Sequence, residues 1–369
     1  MEKLNSVKYS FIILLILSTT LTYYSPYNYI LAFISIVILM LLSLPKKIAK
    51  NSTIVAVIIF IFLYIDGFRV FSSSFEYSQE RMFVLYFSFF LFFFVVNYFK
   101  KEKNFELFVK AIEFVLIFHL ILWFIQFIGL YLANYHIDYL EMIVGKESRA
   151  YPKHIAGMIL HRPTGLSNEP GGYAIDTVIL LYASYIIKEK LTRLHILVIT
   201  SYFLSLTLFG MIFGFLLVLI EMAKKIKKIT ATHIILFLFV LLPIFILFLL
   251  YISFRLEDGN NGSLIMKLQS IFWLFEQDIY RILLGSGFGI NDFGGLIADT
   301  SIYFNLFFTF GIFGIVFYLL LIFLLRKSFL HQALLSIYFL GKTKLYFMSF
   351  WFFLAMLFLT YYKKIGYKK

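Results

Sequence analysis

The chain has 369 residues, of which 62% are hydrophobic, 21% aromatic and only 14% charged, with a formal net charge of +13. So few charges cannot cover a water-facing surface, which excludes a soluble globular protein. The apolar residues gather in long blocks broken by short Lys-rich stretches, the pattern of a polytopic membrane protein, and the absence of Cys excludes disulfide staples, thiolate metal sites and cysteine nucleophiles.

A hydrocarbon core of about 30 Å needs ~20 apolar residues as helix. Spans are predicted near residues 9–24, 27–44, 53–70, 82–98, 107–132, 170–187, 232–252, 301–325 and 345–361. The first ends in LTYYSP without a small-residue cleavage site, so an uncleaved span is expected rather than a signal peptide. Lys and Arg concentrate on the cytoplasmic side of membrane proteins. Placing Lys3, Lys8, the Lys46/Lys47/Lys50 turn, Lys100 to Lys110, Lys188 to Arg193, Lys224 to Lys228 and Arg326 to Lys344 inside accounts for 20 of the 33 basic residues with only six acids. The segments 66–81, 133–169 and 253–300 then face outward with nine basic residues and 13 acids.

Two parity questions follow. One apolar stretch lies between the inside turn at 188–193 and the inside run at 224–228, and two inside ends demand an even number of crossings. Paired short or re-entrant helices over 194–220, meeting around Leu208-Phe209-Gly210 with Gly210 and Gly214 at the bend, satisfy this; one long tilted span is the alternative. The C-terminal Lys363, Lys364, Lys368 and Lys369 also belong inside, which requires residues 329–341 to cross or dip. The expected fold is an all-α polytopic integral membrane protein, a single membrane domain over 1–369 with ten to twelve transmembrane helices and two long extracytoplasmic loops, 133–169 and 253–300.

Chemistry is expected in those loops, because Asp176 is the one acid well inside a span and no internal repeat of a transporter is visible. Loops that long are usually functional. Inside, 18 of the 20 basic residues are Lys, whereas six of the nine outside are Arg: Arg69, Arg81, Arg149, Arg162, Arg255 and Arg281. Topology needs only charge, while planar recognition of phosphate or carboxylate favours Arg, so the outer face is equipped to hold an anion; interfacial snorkelling of Arg is the competing explanation.

The densest polar cluster is HRPTGLSNEPGGYA, from His161 to Ala174. Pro163 and Pro170 forbid a continuous helix, and the loop can hold His161, Arg162, Asn168 and Glu169 together. It can equally serve as a helix start capped by Asn168 or Glu169 with Pro170 in the first turn, and helix N-termini attract phosphate. In the second loop, residues 264–284 predict an amphipathic helix on the outer leaflet, with Lys267 and Arg281 on its polar face. It closes in GSGFG, Gly285 to Gly289, expected as a tight turn leading to Asp292 and Asp299.

RPTGLSNEP before a span, LLGSGFG closing an outward loop, and SIYFNLFFTFGIFG opening the next span together resemble the Wzy-type polymerases of O-antigen and capsular polysaccharide, in the O-antigen ligase-like membrane superfamily. The likeness covers roughly residues 100–325 in organisation and is specific in those three motifs. It implies a GT-C-like helical fold and a metal-independent glycosyltransferase without cofactor. Such enzymes join repeat units carried on undecaprenyl diphosphate at the outer face of the bacterial cytoplasmic membrane. A chain-length regulator and a flippase of the same pathway are the implied protein partners; nucleic acid is not. Arg162 and Glu169 match the polar positions of the first motif, and Lys267 falls where related sequences often carry Arg. Related ligases carry His where this chain has Asp299-Thr300-Ser301, and Ser-Arg where it has Leu208-Phe209-Gly210, which points to polymerase rather than ligase.

Transfer from a polyprenyl diphosphate needs a clamp on the leaving group and a base near the attacking hydroxyl. On this reading Arg162 and Arg255 hold the diphosphate, with Arg281 and Lys267 behind them, and Glu169, then Asp299, is the base; a salt bridge from Glu169 to Arg162 that only shapes the loop is the alternative. His161 and Asn168 line the substrate site, and Tyr151, Tyr173 and Tyr303 are candidates to stack on sugar rings. A transporter or flippase of lipid-linked sugars is the reading from a different class.

Overall fold

The computed structural model describes residues 2–42, 75–150, 152–155, 158–225, 269, 272–273, 276–287, 300–345 and 347–366. The expected spans at 53–70 and 232–252, and most of the 253–300 loop, lie outside the described residues. In chain order the elements are α1 (Glu2–Thr20), α2 (Tyr27–Leu42), α3 (Phe75–Tyr98), α4 (Glu102–Leu132), α5 (Tyr139–Val144), β1 (Lys153–Ile155), β2 (Met158–Leu160), α6 (Pro170–Lys188), α7 (Arg193–Leu204), α8 (Leu208–Lys225), α9 (Ile279–Leu284), α10 (Ile302–Phe310), α11 (Ile312–Leu324), α12 (Phe329–Tyr338) and α13 (Met348–Gly366). Among the described residues the regular structure is helical apart from an antiparallel ladder of three residue pairs between β1 and β2.

Two helices form the centre. In α6 every residue from Gly172 to Ile186 is buried, and in α13 every residue from Phe350 to Leu359. A helix apolar all round must be enclosed by others, and these two are: α13 packs on α3 and α6, and α6 on α4 and α8, while α1 joins α2 to α4. The outer helices turn large apolar side chains away from the body, with Phe33, Ile121, Phe124 and Phe323 each more than half exposed. Helices α4 and α6 are long and apolar enough to cross a membrane.

The bundle has two chemically different ends. Lys188 pairs with Glu113 at 2.5 Å, Lys224 donates to the Tyr185 hydroxyl at 2.6 Å, the Tyr361 hydroxyl accepts from the Lys327 amide at 3.3 Å, and Lys363 lies 5.0 Å from the Phe105 ring. These bring Lys188, Lys224, Lys327 and Lys363 to one end. From Lys327, α12 runs back along α13: His331 Nε2 meets Thr360 Oγ1 at 3.2 Å, and Tyr338 stacks on Phe353. Residues 339–345 thereby reach the opposite end, where Lys342 contacts Glu169. Lys342 and Lys344, grouped with the inside charges on sequence, therefore stand at the Glu169 end, because α12 makes the dip that the C-terminal lysines require.

Between Lys188 and Lys225 the chain forms a helical hairpin, α7 and α8, broken at Ser205–Thr207 with Leu206 at φ +50°. The bend precedes the expected Leu208-Phe209-Gly210 site. Gly210 and Gly214 lie within α8, where a Cβ would stand 2.8 Å from Tyr202 and Ile199 respectively, so they allow α8 to lie against α7 rather than making the turn. The single span expected at 301–325 is also interrupted, at Gly311, into α10 and α11.

Candidate functional site

The site is built around the loop His161–Pro170, held from below by two buried polar side chains. Gln126 of α4 accepts from the backbone N–H groups of Thr164 at 2.7 Å and Gly165 at 2.9 Å, and donates through Nε2 to the Ile137 carbonyl at 2.7 Å. One amide thus ties both ends of the 133–169 segment to a membrane-length helix. Asp176 accepts from Ser167 Oγ at 2.7 Å and Thr22 Oγ1 at 3.3 Å, fixing the next turn of the loop. A buried acceptor with such partners is stable only while they remain, so the loop is pinned rather than draped.

Pinning directs the charged residues. Glu169 takes extended N-cap geometry ahead of Pro170, but its side chain makes no capping bond. Its carboxylate turns instead to the Lys342 ammonium, and the two form an ion pair over the first turn of α6. The helix-start geometry expected for this motif is present, and the acid is left for another task. The partner of Glu169 in the structure is Lys342 rather than the Arg162 considered on sequence. Arg162 donates through Nε and Nη2 to the carbonyls of Ser205 and Leu206, both at 3.3 Å, and so holds the tip of the α7–α8 hairpin, where Trp123 also donates to Ser205 Oγ at 2.7 Å. The Arg149 amide donates to the Asn168 carbonyl at 2.5 Å. Burial, followed by repulsion from Arg149, Lys344 and Arg162, pulls the Lys342 ammonium down to about 8.

The third motif begins at the same place, and the second lies along it. At the start of α10, the Ile302 N–H donates to the carbonyls of Phe339 at 3.0 Å and Gly341 at 2.9 Å. Gly341 has no room for a side chain, since a Cβ there would stand 2.6 Å from the Phe209 ring of the hairpin. The turn carrying Lys342 is therefore clamped between α10 and the hairpin tip. Gly285 and Gly311, both at positive φ, let the GSG segment lie on the broken helix: the Ser286 and Gly287 amides donate to the Phe308 and Thr309 carbonyls at 2.7 and 3.0 Å. A Cβ on Gly285 would stand 2.3 Å from the Thr309 carbonyl oxygen. Gly285 and Gly287 thus serve as an inlay on α10, while Gly289 lies outside the described residues.

The remaining sequence-derived residues fall differently. His161 is half-buried, its carbonyl accepting from the Tyr131 hydroxyl at 2.9 Å and its ring edge-on to Tyr131. Tyr173 is fully buried, stacked on Trp123, edge-on to Tyr202 and bonded to Ser201 Oγ at 2.9 Å, which leaves no face for a sugar; it is a packing residue. Tyr303 likewise turns inward, donating to the Ser336 carbonyl at 2.9 Å. Arg281 binds Gln277 Oε1 at 2.7 Å on its own segment. The long amphipathic helix expected over 264–284 is interrupted at Glu276–Asp278, because Asp278 caps a new start by accepting from the Arg281 amide at 2.9 Å. Arg255, Lys267, Asp299 and Tyr151 lie outside the described residues. Sequence reading missed Lys342, Gln126 and the anchoring role of Asp176.

Chemically, the end of α6 joins one carboxylate to an excess of cations. Such a set can hold a multiply charged anion and accept a proton beside it. Among the described residues no group of three or more His, Asp and Glu is placed to hold a metal ion. No family model, no curated protein and no solved structure matches the chain.

Proposed function

We propose that this protein is a polytopic glycosyltransferase of the bacterial cytoplasmic membrane that joins undecaprenyl-diphosphate-linked oligosaccharide repeat units into an O-antigen, capsular or exopolysaccharide chain. The observation that carries the reading is the Glu169–Lys342 pair at the start of α6, with Arg149 and Arg162 close to Lys342, where the first motif of the resemblance meets the turn held by the start of the third. In the reaction a sugar hydroxyl of one unit attacks the anomeric carbon of another. The new C–O bond forms as the bond to the diphosphate breaks, its electron pair leaves with undecaprenyl diphosphate, and the hydroxyl proton passes to Glu169. Cations at the leaving group lower the barrier more than the base does, because diphosphate already leaves well.

A second reading, a transporter of lipid-linked sugars, is favoured by one feature: the interrupted helix pair α7/α8 brings its backbone break against Arg162 of the charged site. Loss of the protein separates the readings. The polymerase reading expects single repeat units on the lipid or its final acceptor and no long chains. Polymer of normal length left unattached to its acceptor would indicate a ligase, and units trapped on the inner leaflet a transporter.

A further inference from the structure

Lys342 and Glu169 differ from their charged neighbours in what holds them. Two donors of Arg162 are committed to backbone carbonyls at the hairpin tip. Other nearby acids are also committed: Asp176 accepts from Ser167 and Thr22, and Asp138 accepts from the amides of Leu140, Glu141 and Ser148. The Lys342–Glu169 contact instead joins two long side chains across an otherwise open position. Gly171 beneath them carries no side chain, and a Cβ there would touch both partners at 3.5 Å. Among the described residues Lys342 faces one carboxylate, Glu169, and three cations, Arg149, Lys344 and Arg162. Glu169 therefore occupies a position where a ligand of greater negative charge would be held more strongly.

We propose that the Lys342–Glu169 pair is an exchangeable latch: a phosphate-bearing ligand displaces the Glu169 carboxylate from Lys342, so that one event fills the anion site and frees the carboxylate to accept a proton. The use of the freed carboxylate rests on the glycosyl-transfer reading; the exchange itself does not. In the resting protein the base is held by Lys342 and is a poor proton acceptor. It becomes a better one only when the diphosphate has taken the ammonium, so hydroxyl activation is confined to the loaded site.

The test is binding of inorganic pyrophosphate to the purified full-length protein, measured by calorimetry on wild type, Glu169→Gln, Lys342→Gln and Lys342→Arg. A latch requires effects of opposite sign: Glu169→Gln removes the competitor and tightens binding about tenfold or more, whereas Lys342→Gln weakens it by a similar factor. Lys342→Arg, which keeps the charge, stays within a few-fold of wild type and covers the case in which Lys342→Gln fails to fold. Binding that is unchanged or weaker in Glu169→Gln, or no binding by wild type, overturns the proposal. Polymer formation is scored separately. Opposite-sign binding without polymer from wild type keeps the latch and rejects the polymerase, while polymerisation at the wild-type rate by Glu169→Gln rejects the freed carboxylate as the base and leaves the polymerase standing.

Discussion

Both ends of the bundle carry positive charge, yet the two use it differently. At the lysine end Lys190 and Arg193 are exposed, and Lys188 is 36% exposed although paired with Glu113. Charges so placed report sidedness and need no particular geometry. At the Glu169 end Arg162 and Lys342 are half-buried and tied to backbone carbonyls or a carboxylate, Arg162 on the loop pinned by Gln126 and Asp176 and Lys342 on the turn clamped between α10 and the hairpin tip. Net charge alone does not separate a topological signal from an anion site; burial and anchoring do.

The largest break in that comparison is expected from removing one cation at each end. Lys342→Gln should reduce polymer formation by about 10²-fold or more, the scale of losing one preorganised charge at a leaving group. Arg193→Lys at the other end should leave chain length on a gel and protein abundance unchanged. Arg162→Lys should lower abundance as well as turnover, because the ammonium cannot span the Ser205 and Leu206 carbonyls that the guanidinium joins.

Next in size is the scaffold. Gln126→Leu orphans the buried amides of Thr164 and Gly165, at about 1–3 kcal/mol for each. The expected result is a lower unfolding midpoint in detergent, with activity lost in proportion. Gly341→Ala places a methyl group against the Phe209 ring and should cost about 1–3 kcal/mol by overpacking. Because it also shifts the turn carrying Lys342, kcat/KM should fall more than stability does.

The smallest effect is on pH dependence. Lys342, facing Glu169, Arg149, Lys344 and Arg162, titrates in the free protein near 8, below its ordinary value of 10.5. As pH rises through 8 the charge is lost, so kcat/KM should fall several-fold between about pH 7 and 9, where phosphate groups are already ionised. Stability should move the other way. Between about pH 8 and 10.5 the unfolded chain binds the proton that the folded protein has released, so this group favours folding increasingly with pH. A parallel fall of both would point to denaturation rather than titration of Lys342.

Much of the helical framework was legible in the sequence, because long Phe- and Leu-rich blocks leave few alternatives and the lysines mark where they end. The hairpin at 193–225 followed from parity between two inside charge runs, although its bend did not, since nothing in Ser205-Leu206-Thr207 announces a left-handed residue. Lys342 was hidden by its neighbours. It follows Arg326 and Lys327 in a basic stretch that reads as one inside cluster, and only the demand of the C-terminal lysines for another crossing signalled the dip that separates them. Arg162 was found for its type, but its guanidinium grips a helix tip, a contact between residues more than 40 apart that no local pattern encodes. Tyr173 was misjudged because an aromatic beside a polar motif reads the same whether it faces a ligand or the core.

The most direct test is reconstitution. Repeat units on undecaprenyl diphosphate, extracted from cells lacking the protein, are added to vesicles containing only the purified chain. Chain length is followed on a gel and released undecaprenyl diphosphate by chromatography. The polymerase account expects a ladder of lengthening chains, one undecaprenyl diphosphate released per unit joined, and neither product from Lys342→Gln. Unchanged units that merely move from one leaflet to the other would contradict it.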